Sequence, residues 1–189
     1  MYREPGALLR LGGAWRRGLA ACCIAGCLLP GLGLAQADAV PDDRLKAAFV
    51  FNFAVFTEWP TESLASGAPM TLCMFPGNAL QPALASLGDK TVNGHKLVFK
   101  PLAAPADPRA CHILVLGSAD RERWERLRKG LAGASILTVA DDGGAGNEGA
   151  VITLGVENRH IGFAVDLGAA RLSRLALSSK LLRLARSVQ

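Results

Sequence analysis

Histidine is scarce in this sequence. His95, His112 and His160 are the only three, and none stands at helical or C-x-x-C spacing from another metal-ligating residue, which excludes the common zinc motifs and leaves them as structural or surface residues. A phosphate-binding loop is missing too: Gly143-Gly144-x-Gly146 has no lysine behind it and does not open a helix. Asp141 and Asp142 adjoin this glycine-rich stretch and read as solvated turn residues rather than as an acid and base pair. Cys111 and His112 are neighbours, but on a strand they point to opposite faces and so do not serve each other as nucleophile and base. No catalytic residue, metal site or cofactor is expected, and the chain reads as a binding protein rather than an enzyme.

A bilayer-spanning run is also lacking. Residues 18–35 are apolar and free of acid, but Pro30, Gly31 and Gly33 interrupt them before the about 20 residues a spanning helix needs. Arg3, Arg10, Arg16 and Arg17 precede the run and Ala35-Gln36-Ala37 closes it, the layout of a cleavable signal peptide over residues 1–37. Removing 37 of 189 residues leaves 152, residues 38–189, a natural length for one exported domain. Ile24-Ala25-Gly26-Cys27 offers a second route, lipid attachment at Cys27, although apolar sequence continues where a polar tether belongs.

Nor does a basic excess survive processing. Taking the leader's four arginines and Glu4 from 21 basic and 16 acidic residues leaves 17 and 15, a net charge of +2. That balance gives no concentrated basic face for nucleic acid. Of five cysteines, Cys22, Cys23 and Cys27 go with the leader, and Cys73 and Cys111 remain. In an oxidising compartment such a pair is more often a disulfide than two thiols. Closing a loop of 38 residues, 111 minus 73, stabilises a fold by about 3 to 4 kcal/mol on chain-entropy grounds.

The chain then alternates helix and strand signals. Leu45, Ala48, Phe49, Phe53 and Phe56 recur at three- and four-residue spacing behind Pro41-Asp42-Asp43, predicting a helix that Pro60 stops. Val50, Phe51, Ala54 and Val55 make its other faces apolar, so it should be buried on most sides or covered by a partner. Strands are predicted over residues 70–75, 96–102, 111–116, 135–139, 150–154 and 160–165, the last two as an antiparallel hairpin. Further helices are predicted over 79–87, 121–129, with Ser118 as N-cap, 168–175 and 178–187. The order implies an α/β fold, a single layered domain with a mixed sheet flanked by helices.

Asn52-Phe53-Ala54 followed by Glu58-Trp59-Pro60, within the run 45–60, resembles the opening signature of the YfiR family. Ser178-Ser179-Lys180-Leu181-Leu182-Arg183-Leu184-Ala185-Arg186 is similar to that family's C-terminal motif, with Cys111-His112-Ile113-Leu114 and Gly155-Val156-Glu157-Asn158 between. The resemblance covers nearly all of residues 43–187. It implies a periplasmic repressor of an inner-membrane diguanylate cyclase, acting on the cyclase's periplasmic region, lowering cyclic di-GMP and biofilm formation, and released by an OmpA-like outer-membrane lipoprotein. It also implies a disulfide between Cys73 and Cys111. Two positions depart from the pattern: no second cysteine pair accompanies residues 143–149, and Val55 stands where a lysine is usual. The expected partner surface is the exposed side of the first helix, with Phe49 and Phe53, and the stripe Lys180, Arg183, Arg186; a homodimer is compatible with it. The alternative is a small-ligand module of the cell envelope with Trp59 lining its pocket.

Overall fold

The computed structural model describes residues 42–103, 107–141, 148–157 and 160–189, all within one compact unit, Asp38–Gln189. The leader, Cys27, Asp142 and the glycine run Gly143, Gly144 and Gly146 lie outside the described residues. In chain order the elements are α1 (Asp42–Val55), β1 (Thr57–Glu58), β2 (Met70–Met74), α2 (Gln81–Ala85), β3 (Thr91–Val92), β4 (His95–Pro101), β5 (Ile113–Gly117), α3 (Arg121–Arg128) and β6 (Leu137–Asp141). There follow β7 (Ile152–Glu157), β8 (His160–Val165), α4 (Leu167–Leu172), β9 (Ala176–Leu177), α5 (Ser179–Leu184) and β10 (Ser187–Val188).

Eight strands form one mixed sheet in the order β10-β8-β7-β6-β5-β2-β4-β3. Pairing is parallel from β4 through β2, β5 and β6 to β7, and antiparallel at the β3/β4 and β7/β8 hairpins. The fold is the expected α/β domain. The central parallel strands β2 and β5 read as apolar runs because both faces are covered, so each alternate side chain enters a different core. Leu72, Met74, Ile113, Val115, Leu137 and Val139 join a large cluster with α1, α2, α4 and α5. Cys73, Phe75, Leu114 and Leu116 join a smaller one with Trp124 of α3. The Cys73–Cys111 disulfide lies inside this smaller cluster, with both residues buried.

Three local outcomes differ from the sequence reading. The first helix ends at Val55, five residues before Pro60, because Thr57 and Glu58 pair with β9 as a two-stranded ribbon. Ser118 does not cap α3; a 3-10 turn over Ser118–Asp120 intervenes, and the buried Asp120 carboxylate accepts from Gly117 N–H at 3.0 Å. The last helix stops at Leu184 instead of running to residue 187. Arg186 N–H donates to Phe163 C=O and Gln189 N–H to Val165 C=O, and these bonds draw the chain end onto β8 as β10.

The expected turn at Val92-Asn93-Gly94 is a two-residue hairpin. Asn93 (φ 48°) and Gly94 (φ 85°) both occupy the left-handed region, which the preferred twist of such a hairpin requires. The turn also reaches outward, since Asn93 Nδ2 donates to the Val55 carbonyl at 3.0 Å and closes the end of α1.

Candidate functional site

Helix α1 begins with Asp42 and Asp43, acids that favour a helix N-terminus, and buries Ala47, Val50, Phe53 and Ala54. Phe53, one of the residues expected at the partner surface, is 1% exposed and meets the Phe163 ring edge-on at 4.9 Å between centroids. It belongs to the core, so this expectation is corrected: the helix turns Phe53 inward with Val50, and a partner cannot reach it. Phe49 is half-buried, 6.1 Å from the Phe163 ring, and keeps an outer edge beside the exposed Leu45.

The start of helix α5 is bonded to the residue that follows α1. Ser178 N–H donates to the Phe56 carbonyl at 2.9 Å, and the Ser178 hydroxyl caps α5 by accepting from Leu181 N–H. Leu181 is the buried anchor, and Lys180 and Arg183 remain exposed. Arg186 leaves the stripe, because the helix has ended before it. Its side chain crosses Gly162 of β8 so closely that a Cβ there would come within 2.6 Å of Arg186 Cδ. A side chain at position 162 would have to push the flexible arginine aside. Of the expected surface, Phe49 with its neighbour Leu45 on α1 and Lys180 and Arg183 on α5 are left uncovered, whereas Arg186 lies over the face of β8 opposite the one that Phe163 turns towards α1.

Trp59 is half-buried, packs against the large core and donates its indole N–H to the His112 carbonyl at 3.3 Å. A cavity of about 240 Å³ adjoins it, shared with Glu58, Asn93 and His95. Behind it, His112 joins two segments: Nδ1 accepts from Thr71 N–H at 2.9 Å, which leaves the proton on Nε2 to be donated to the Ser63 carbonyl at 3.1 Å. Burial lowers the His112 pKa from its usual 6.5, with the nearby His95 acting the same way and the bond to Ser63 opposing them. The neutral ring this favours is the form that accepts from Thr71. His112 is therefore a structural clamp on the segment between β1 and β2.

Asp141, read as a turn residue, is held instead. Its carboxylate meets Lys46 Nζ of α1 at 2.8 Å, and the two side chains are 13% and 19% exposed. A separation of 95 residues hid this pair from any local pattern. Among the described residues no group of three metal-ligating side chains is assembled, and no helix is long and apolar enough to cross a membrane.

The signature of the YfiR/HmsC-like family matches residues 43–186. The chain belongs to the YfiR/HmsC-like family. The match embraces both α1 and α5, so the two elements of the candidate surface fall inside the family's own boundaries. No curated protein matches the chain. The YfiR/HmsC-like family is periplasmic and in general regulatory rather than catalytic, and membership points to regulation of diguanylate cyclase signalling.

Proposed function

We propose that this YfiR/HmsC-like protein is exported, loses residues 1–37, and represses an inner-membrane diguanylate cyclase by binding its periplasmic region. The observation that carries the reading is the family match across 43–186, nearly the whole of the folded unit. The physical route is occupancy of one conformation, which shifts the cyclase only by the difference in affinity between its states. The α1 and α5 surface suits such docking, since it combines uncovered apolar side chains with the cations Lys180 and Arg183 at its edge. An OmpA-like outer-membrane lipoprotein that competes for the same surface would release the cyclase, lifting repression of cyclic di-GMP synthesis and biofilm formation.

Deletion of the gene should raise cyclic di-GMP and surface attachment, and crosslinking in intact envelopes should attach the protein to a membrane cyclase. Unchanged cyclic di-GMP in the deletion strain, across growth conditions, would remove the repressor role. The cavity beside Trp59 favours one second reading, binding of a small envelope metabolite there. Calorimetry against amino acids and cell-wall fragments separates the two, since saturable heat with no protein partner present supports the ligand module.

A further inference from the structure

A second cavity, of about 330 Å³, opens where the C-terminal end of α3 and the turn after it face α4. That volume is at the lower end of the range small-ligand sites occupy. Its space comes from small side chains on both walls, Ala132 and Ala134 on one and Ala169 on the other. The buried Trp124 and Ile136 supply apolar surface, and Leu172, 70% exposed, stands uncovered beside them. Three polar side chains within are already committed. Trp124 gives its indole N–H to the Glu148 carbonyl at 2.9 Å, Thr138 Oγ1 accepts from Val151 N–H, and the Asp166 carboxylate accepts from Ala169 N–H as the cap of α4.

The cations are not so committed. Arg128 and Lys129 border the cavity and are exposed, and among the described residues neither stands in an ion pair. An apolar hollow of ligand size with spare positive charge on one wall selects an occupant that is apolar at one end and anionic at the other. We propose that this cavity binds a small amphipathic carboxylate, its apolar body against Trp124, Ile136 and Leu172 and its head paired with Arg128 and Lys129. Burial of the apolar body supplies most of the affinity, and the exposed cations supply selection for the anion. The site is separate from the α1 and α5 surface and does not depend on that reading.

The test uses 15N-labelled protein purified from the periplasmic fraction of an expression host, titrated with decanoate and separately with 1-decanol. Decanoate is expected to shift the Trp124 indole N–H and the Gly149 and Gly168 amides saturably, leave the Trp59 indole N–H unmoved, and bind at least threefold more tightly than 1-decanol. Ala132→Phe, at an exposed wall position, should weaken both at least tenfold. R128A/K129A should weaken decanoate at least threefold and leave 1-decanol unchanged. Shifts centred on Trp59, or undiminished binding by A132F, would overturn the site. Equal affinity for acid and alcohol would overturn the anionic class. If A132F fails to fold, Leu172→Ala decides at an exposed position, with at least threefold weaker binding expected and unchanged binding overturning the site.

Discussion

One face of the sheet is covered by α1, α2, α4 and α5, and the other by α3 with its short following turn. The first holds a cluster of 26 buried residues among those described and the second only nine, so burial is unequally shared. The second face is where the disulfide lies, joining Cys73 of β2 to Cys111 just before β5. At about 25 cal/mol per Å² of apolar surface, a nine-residue layer gains far less from water exclusion than a 26-residue one. The cross-link adds to this thinner layer a stabilisation of another origin, the restriction of the unfolded chain over a separation of 38 residues. The contrast also separates roles: the thick face carries the proposed partner surface on its outside, and the α3 cavity lies at the margin of the thin face, where α4 forms its other wall.

The sharpest way to break this comparison is Phe53→Ala. If the thick face is held by packing, deleting this ring should cost about 3 to 5 kcal/mol in urea unfolding. Next is the double change Cys73→Ala with Cys111→Ala, expected to cost about 3 to 4 kcal/mol. Hydrogen exchange should show α3 and β5 losing protection before α1 does; uniform loss over both faces would contradict the division. Lys46→Met strands the mostly buried Asp141 carboxylate and should cost about 1 to 3 kcal/mol. Adding Asp141→Leu should recover part of that loss, and failure to recover would mean the pair does not hold α1 to β6.

The His112 clamp predicts a smaller, pH-dependent effect. Its folded pKa is lowered, so the unfolded chain binds the proton more readily. Its contribution is complete above the usual 6.5 and declines as pH falls from there towards the lowered folded value. The difference in stability between the wild type and His112→Gln should therefore shrink on acidification through that window; a difference independent of pH would show the ring titrating alike in both states. Smallest of all, Lys180→Glu with Arg183→Glu should change stability by about 0.5 kcal/mol or less, because both side chains are exposed. The same variant should lose crosslinking to the cyclase, and retained crosslinking would move the partner surface elsewhere.

Much of the fold was legible because it rests on short-range periodicity. The β8 boundaries, the β7/β8 hairpin, the Asn93-Gly94 turn and the apolar parallel strands each follow from a few adjacent side chains. The miniature strands β1, β9 and β10 were not legible. Two residues carry no period, and each exists only because a distant segment offers backbone partners. The candidate surface was half legible. Lys180 and Arg183 are exposed as their type suggests, but Phe49 and Phe53 have the same composition and differ only in which side of α1 meets Phe163.

Sequence by itself determined the α/β class, the family, and the two cysteines available for a bridge, since local patterning and residue type survive without coordinates. Tertiary structure alone decided that Asp141 meets Lys46, that His112 clamps Ser63 to Thr71, that Arg186 lies over Gly162, and that small residues far apart in the chain enclose a cavity beside Trp124. Each of these depends on a distance between segments that no local pattern encodes, because chain folding sets it through the packing of whole layers.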